Sequence, residues 1–378
     1  MAAGLKRDVC LEICGLSKSQ FYRRGSRKKR GRKKTLFTEK LVDNQKVRFA
    51  NRAVIDAIKE LLNKPNIEYG YRAMSNELQL NGWFINHKKV YRLMKTERLL
   101  RPKLPKEAKN YVKYRVLAPE GPLCLLEQDI KQVWIEQKGG YAYILTIIDI
   151  FTRCVLHWQV GDQMKEKDVR RAWEAVIENW LQPLDRLATG IHIEVRNDNG
   201  PQFRAVKLQD FLAQNTLCQT FTHPYTPQEN GHIESFHAIL GRTLEGMIFE
   251  KLMNLEQELQ RFYVFYNYRR IHGSTCGIPP MLFWQQWTQG NIERHVKADN
   301  IRKATFRLTV GRQYLQRFEP AGNENSREVL SLIFEGSIPD KITLAKPTNQ
   351  VYMDKTKSDG AVLIEQPAVQ RSPSVVLS

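Results

Sequence analysis

The chain has 378 residues, 42% of them hydrophobic, and a net charge of +19 from 59 Lys+Arg against 40 Asp+Glu. Its length allows two or three cored domains, while no apolar run reaches membrane-span length and no secretory signal opens it, which points away from a membrane or exported protein. Six scattered cysteines, at 10, 14, 124, 154, 218 and 276, are too few for a disulfide framework; they fit a reducing cytoplasm, and no set of His and Cys ligands completes a zinc site.

The charge is uneven. Residues 1–115 hold 30 Lys+Arg and 10 Asp+Glu, and residues 116–378 hold 29 and 30, so the whole excess lies in the N-terminal third. This favours a polyanionic partner, bound through counterion release, over a merely solubilising tail. Residues 6–24 read as two short helices, with Val9, Cys10, Leu11, Ile13 and Leu16 apolar, Gly15 at the turn and Ser17 as a cap. A helix-turn-helix and any short two-helix hairpin share that pattern. From Arg23 to Lys34 nine of twelve residues are basic. Such an arm tracks phosphates without reading sequence, and Arg27, Lys28, Lys29, Arg30, Arg32, Lys33 and Lys34 are its candidate nucleic-acid contacts. A helical region begins at Asn51, where Val54, Ile55, Ile58, Leu61 and Leu62 keep a helical period. A second helix starts in Tyr69-Gly70-Tyr71-Arg72 and runs through Leu80, and a third begins at Asn86 or His87 and runs to Thr96. On this third helix Lys88, Lys89, Arg92 and Lys95 face outward, as on a recognition helix or on any solvated face. Pro102 to Val112 reads as a basic linker.

The pattern then changes. Leu123 to Ile130 is a strand-like run with Asp129 at its end; Tyr141 to Ile150 and Cys154 to Val160 complete an antiparallel meander after the turn Gly139-Gly140. Lys165 to Leu181 is an amphipathic helix with Val169, Trp173, Val176, Ile177 and Trp180 inward. A strand from Ile191 to Val195, a helix from Val206 to Gln214, a strand from Leu217 to Phe221 and a long helix from Ile233 to Ile248 follow. In that last helix Phe236, Leu240, Leu244, Met247 and Ile248 form one stripe. This order describes an α/β fold: a ribonuclease-H-like core with a mixed sheet, preceded by an all-helical region of helix-turn-helix type. Leu255 to Arg269 is a further helix, and strands are expected around Phe306 to Val310 and Val329 to Phe334.

Three acids stand at telling places in this core. Asp129 lies near a strand end, Asp198 follows another strand in Asn197-Asp198-Asn199-Gly200, where Gly200 lets the chain turn sharply, and Glu234 lies in the first turn of the long helix. Singly, each has an ordinary reading as a turn former or a helix-start acid. Asp149, which also ends a strand-like run, and Glu127, on the same strand face as Asp129, compete for the first place; Asp129 is favoured, and Asp149 is read either as structural or as a support behind the metal-binding acids. Together, three carboxylates on three elements suit two divalent cations about 4 Å apart, which activate a nucleophile and relieve charge on a phosphodiester. Mg²⁺ takes such hard oxygens and keeps waters, so few protein ligands suffice.

The motifs that carry these acids resemble a known family. Tyr-Gly-Tyr-Arg at 69–72, Gln-Asp-Ile at 128–130, Asn-Asp-Asn-Gly-Pro-Gln-Phe at 197–203, Pro-Tyr-Thr-Pro-Gln-Glu-Asn-Gly-His-Ile-Glu-Ser-Phe-His at 224–237 and Tyr-Asn-Tyr-Arg-Arg-Ile-His at 266–272 occur in order. Over residues 50 to 285 the chain is similar to the OrfB-type transposases of bacterial insertion sequences, a DDE family whose core is shared with retroviral integrases. The resemblance implies Asp129, Asp198 and Glu234 as the metal-binding catalytic triad, holding two Mg²⁺, with Mn²⁺ able to substitute. It implies cleavage at element ends and strand transfer by a 3′-hydroxyl, with no covalent protein–DNA intermediate. The implied partners are terminal inverted repeats, target DNA, further copies of the chain on paired ends, and a fused or separate DNA-binding protein from an upstream frame, all in a bacterial cytoplasm near the nucleoid. The sequence departs from the family where a Lys or Arg is expected seven residues after the catalytic Glu: Gly241 stands there. Arg242 follows, about 80° round the helix, and His237, one turn after Glu234, is another candidate DNA contact. A hydrolytic nuclease on the same fold, or a domesticated DNA-binding protein with a dispensable triad, are the alternatives. The expected divisions are 1–36, a small helical segment and basic arm; 37–102, a helical DNA-binding domain; 103–120, a linker; 121–288, the catalytic core; and 289–378, a C-terminal extension.

Overall fold

The structure is a computed structural model that describes residues 4, 6–22, 35–102, 119–188, 190–223, 230–297 and 300–317. The basic arm with its seven candidate contacts, most of the linker, the loop before Asn230 and the expected strand Val329 to Phe334 lie outside them. Helices α1 (Arg7–Ile13) and α2 (Lys18–Phe21) meet at Gly15, whose φ of +62° suits glycine. Ser17 caps α2 as expected: the Gln20 N–H donates to its hydroxyl at 3.3 Å while its own N–H donates to Gln20 Oε1 at 2.8 Å.

The region expected to be all-helical contains a sheet. Strands β1 (Phe37–Val42) and β2 (Gln45–Ala50) form a hairpin whose two turn residues, Asp43 and Asn44, have φ of 49° and 60°. Both are left-handed, as a type I′ turn requires. After α3 (Asn51–Leu62) and α4 (Tyr71–Leu80), the short β3 (Trp83–Phe84) joins β1, giving the order β2-β1-β3. Only Thr38 is buried in the hairpin strands, so they carry no apolar alternation; the turn chemistry is their one sequence signal. Helix α5 (His87–Thr96) is capped by Asn86, which accepts the Lys89 N–H at 2.9 Å.

The core of these helices is not closed by their own residues. Val54, Ile58, Met74, Leu78, Val90 and Met94 share one cluster with Ile271, Ile278, Leu282, Phe283 and Ile292. Helix α11 (Pro280–Thr288) and the hairpin of β9 (Ile292–Lys297) with β10 (Asn300–Leu308) supply that second half. Phe306 sits edge-on to Phe151 and Phe283. The strand expected from Phe306 thus begins earlier, and its partner β9 was not anticipated. Polar ties reinforce the junction. Tyr69 Oη donates to the Arg269 carbonyl at 3.3 Å and accepts the Ile271 N–H at 3.1 Å, joining two of the family-like motifs. Arg312 reaches the Cys276 carbonyl and Gln79, and Arg317 pairs with buried Glu77 at 2.7 Å. Tyr69→Phe leaves one buried N–H and one carbonyl without that partner, so it is expected to cost about 1–3 kcal/mol, read from urea unfolding at equal m-value; a change within error would show the bridge to be idle.

The central sheet has the order β6-β5-β4-β7-β8. Strands β4 (Leu125–Ile135), β5 (Gly140–Asp149) and β6 (Val155–Gly161) are antiparallel, and β7 (Ile193–Asn197) and β8 (Leu217–Phe221) run parallel to β4. Helix α6 (Glu166–Val176), its π-helical continuation Ile177–Leu181 and α8 (Val206–Gln214) cover one face, packing Trp173, Leu208 and Leu212 on Leu126, Leu145 and Val195. Helices α9 (Gly231–Leu244) and α10 (Leu252–Tyr268) cover the other, where Phe236, Leu240 and Phe262 meet Leu125, Ile144 and Ile148. Alternate residues of β4 therefore serve two cores. The single turn α7 (Pro201–Arg204) precedes α8. Two expectations change. Strand β4 continues six residues beyond Asp129, because its polar second half still pairs with β5 through Ile135↔Gly140. Helix α9 stops at Leu244, since Gly246 takes a φ of +78° and leaves Met247 and Ile248 exposed.

Candidate active site

The parallel pairing of β4 with β7 is short: Leu125↔Glu194, Leu126↔Val195, Glu127↔Arg196. Asp129 and Asp198 each lie two residues past the last matched pair, where the ladder opens. Asp198 follows the carboxyl end of β7, and Asp129 lies where β4 has parted from β7 and pairs with β5 alone, so both border the crevice that opens between the two strands. Asp198 closes its turn by accepting the Gly200 N–H on Oδ1 at 2.9 Å. Gly200 itself has φ −56°, open to any residue. A Cβ there would lie 2.6 Å from Gln202 Nε2 and 3.1 Å from Asp198 Oδ1, so a larger residue would have to displace the end of the Gln202 side chain and crowd the Asp198 carboxylate.

Glu234 arrives from the first turn of α9, and β4 fixes that helix. Glu127, fully buried, accepts the Ile233 N–H on Oε2 at 2.8 Å, a carboxylate at a helix N-terminus. Burial pushes the Glu127 carboxyl up to about 7, against the opposing pull of the Ile233 bond and of Arg196 and Arg153. One turn further along α9, His237 Nδ1 lies 3.2 Å from Asp129 Oδ2. Burial raises the carboxyl of Asp198 above its ordinary range; the Gly200 bond opposes this and the negative charge of Asp129 adds to it. Glu234 is raised by burial first and by Asp129 second, with His237 opposing. Asp129 is thus the common neighbour that both other acids feel.

The donors are hard oxygens, and their mutual repulsion is what a divalent cation would relieve, so the set suits Mg²⁺ better than a softer metal. Among the described residues no three His, Cys, Asp or Glu side chains, Asp129, Asp198 and Glu234 included, are gathered closely enough to hold a metal ion. Asp149 is placed differently. Fully buried, it accepts the N–H groups of Leu123 and Thr152 and the Thr152 hydroxyl, at 3.1, 2.9 and 2.5 Å, and so holds the β5–β6 turn.

Sequence reasoning overlooked a buried network beneath the Asp198 turn. Trp173 Nε1 donates to Gln128 Oε1 at 2.9 Å; Gln128 Nε2 and Gln219 Nε2 donate to Asn197 Oδ1 at 3.2 and 2.9 Å; Asn197 Nδ2 donates to the Asp198 carbonyl at 2.7 Å. Gln128 and Asn197 are both completely buried. Polar amides inside two strand-like apolar runs were the available signal.

The expected basic contacts are dispersed. On α5, Lys88 and Lys95 are exposed and Arg92 is half-buried. Lys89 is committed inward, donating to the Phe37 carbonyl at 2.5 Å and to Thr35 Oγ1 at 3.1 Å, and burial lowers its pKa. Arg242 is exposed, and its charge is felt by Glu68 and Arg270.

Comparison with known proteins matches residues 50–106 to an HTH-like domain and residues 119–227 and 216–280 to models of the integrase core domain. The InsK protein of insertion sequence element IS150 from Escherichia coli K12 is 26% identical over 61% of this chain and 82% of its own length. The transposase for insertion sequence element IS904 of Lactococcus lactis is 26% identical over 57% of this chain and 87% of its own. Among solved structures, the HTLV-2 integrase catalytic core in complex with magnesium aligns over 42% of this chain and 94% of that one, at 16% identity and a TM-score of 0.29, a likeness too loose to carry weight. Among the described residues no helix is long and apolar enough to cross a membrane.

Proposed function

We infer that this chain, an insertion-sequence transposase with an integrase catalytic core behind a helix-turn-helix-like domain, performs its strand chemistry through Asp129, Asp198 and Glu234. The observation that supports the assignment is the opening of the β4–β7 ladder, with Asp129 and Asp198 at matching positions beyond it and with the charge of Asp129 felt by both Asp198 and Glu234. These three carboxylates would hold two Mg²⁺, or Mn²⁺ in their place. When bound, the cations supply activation of the attacking oxygen and relief of charge on the phosphorus.

The protein's own part is placement. Strand β4 holds Asp129 rigid, the network of Trp173, Gln128 and Asn197 steadies the Asp198 turn, and Glu127 seats the helix that carries Glu234. His237 turns one oxygen of Asp129 toward itself and leaves the other bonded to its own strand, where the Ile130 N–H donates at 2.7 Å. At the element end, water attacks a phosphodiester and the 3′-oxygen leaves as a free hydroxyl. That 3′-oxygen next attacks a phosphodiester of the target, whose own 3′-oxygen departs, so this second step exchanges one phosphodiester for another, and in neither step is a residue of the chain esterified. The substrates are the terminal inverted repeats and a target duplex, bound by several copies of the chain on paired ends. The basic arm at Arg23 to Lys34 supplies affinity, and the setting is the bacterial cytoplasm. A protein read from an upstream frame is a further partner.

The expected result is that the full chain, given Mg²⁺ and a duplex ending in the inverted repeat that flanks its gene, joins the 3′-end to a supercoiled plasmid. Chelation with EDTA abolishes joining and added Mg²⁺ restores it. Cutting without joining would identify a hydrolytic nuclease instead, and joining that survives EDTA would remove the metal from the scheme.

A further inference from the structure

Three successive residues on one face of β4 run alongside α9 in step. Glu127 meets Ile233, Asp129 meets His237, and Lys131 meets Gly241. Two residues of strand advance about 6.6 Å and four residues of helix about 6 Å, so the two elements stay in register over this length. The partner positions 233, 237 and 241 follow from that match. At the third step the helix offers no side chain. A Cβ on Gly241 would lie 3.5 Å from Lys131 Nζ and 3.8 Å from its Cε, so the Lys131 ammonium lies in van der Waals reach of the bare helix position at 241.

Lys131 is half-buried, and among the described residues it has neither an ion-pair partner nor a hydrogen bond. A partly exposed ammonium with no bonded partner is available to an anion that approaches this end of the site. It stands two residues from Asp129 on the same strand face, beside the acids assigned above. Arg242, the next residue of α9, is exposed, and Glu68 and Arg270 feel its charge. We propose that Lys131 is a DNA-phosphate contact of this active site, delivered from β4 across Gly241 to the position where α9 lacks a basic side chain. This rests on the strand-transfer reading of the site and adds to it the residue that grips the backbone next to the reacting phosphate.

The test uses the full chain with Lys131→Met, which keeps the apolar stem and removes the charge, with Lys131→Arg, and with the double variant Lys131→Met/Gly241→Lys. The probe is a duplex ending in the inverted repeat that flanks the gene. Binding is titrated against NaCl without divalent metal, and joining is measured with Mg²⁺. Loss of one phosphate contact flattens the slope of log K against log salt by about one and weakens binding by about tenfold. Lys131→Arg retains both, and the double variant recovers them, because lysine from 241 reaches the same place and stabilises the helix relative to glycine. A wild-type slope and KM in Lys131→Met would overturn the inference while leaving the strand-transfer reading intact. So would a folded double variant, with an unchanged melting temperature, that recovers nothing. A wild-type chain that joins no DNA would overturn both.

Discussion

Asp198→Asn loses Mg²⁺-dependent strand transfer by about a thousandfold or more, while its affinity for the duplex end stays within about a factor of two, since affinity comes from cationic contacts elsewhere. The substitution is nearly isosteric, and the amide Oδ1 can still accept the Gly200 N–H that closes the turn at 2.9 Å. What disappears is the charge. The Asp198 carboxyl is raised above its ordinary value by burial and by Asp129, so the charged form is disfavoured in the folded state. Stability contributed by such a group falls as pH rises through its titration. A neutral amide avoids that loss, and the variant should melt at the same temperature as the wild type or higher at neutral pH, as often happens when a strained functional group is neutralised. The measurement is joining of a labelled 3′-end beside a thermal melt. Retained joining would remove Asp198 from the chemistry, and lost joining with a lowered melt would make its role structural.

Asn197→Ala has the largest expected effect on stability. The side chain is fully buried and makes three hydrogen bonds, to Gln128, Gln219 and the Asp198 carbonyl. Truncation removes those bonds and leaves two glutamine N–H groups facing a void, with Trp173 still donating to Gln128 from the other side. Unpaired buried donors and the cavity together are expected to cost about 3–5 kcal/mol, visible as a lowered urea midpoint at unchanged m-value. Joining should fall further than the unfolded fraction accounts for, because the Asp198 turn loses its anchor. If the midpoint moves by less than about 1 kcal/mol equivalent, the two glutamines have re-paired with each other and the network is not the support assigned to it.

Much of the central sheet was readable because each strand carries apolar residues to two cores. Leu125 and Leu126, or Ile144 and Leu145, point to opposite faces and are all buried, so their runs stand out from the polar connections. The three acids were readable for a different reason, as polar residues at the ends of such runs or at a helix start. What escaped has no such contrast. The β1–β2 hairpin buries only Thr38 and so shows no period. The second half of β4, from Lys131 to Trp134, looks like a loop until its ladder with β5 is seen. Helix α11 was hidden because Met281, Leu282, Phe283 and Trp284 are buried on all sides, leaving no amphipathic stripe to detect. The Asn197 network depends on which amides meet across three elements, and spacing along the chain does not encode that. Lys131 was invisible for the same reason: only the pairing of β4 with α9 brings it to Gly241.

The shared core of α3, α4 and α5 with α11 bears on how the chain is made. Tyr69 must wait for Ile271, 202 residues later, before its hydroxyl is satisfied. On a ribosome delivering about 5–20 residues per second, the N-terminal helices emerge about 10–40 s ahead of the side chains that close them. During that interval Val54, Ile58, Met74 and Leu78 present an uncovered apolar face to the cytosol, open to a chaperone or to a second nascent chain. A chain released before residue 290 keeps all three acids, Asp129, Asp198 and Glu234, and yet lacks Ile292 and the hairpin carrying Phe306. Premature termination or proteolysis near that point would therefore yield a chain with all three acids and an open seam, and quality control at the seam would act on the protein's abundance without touching those acids.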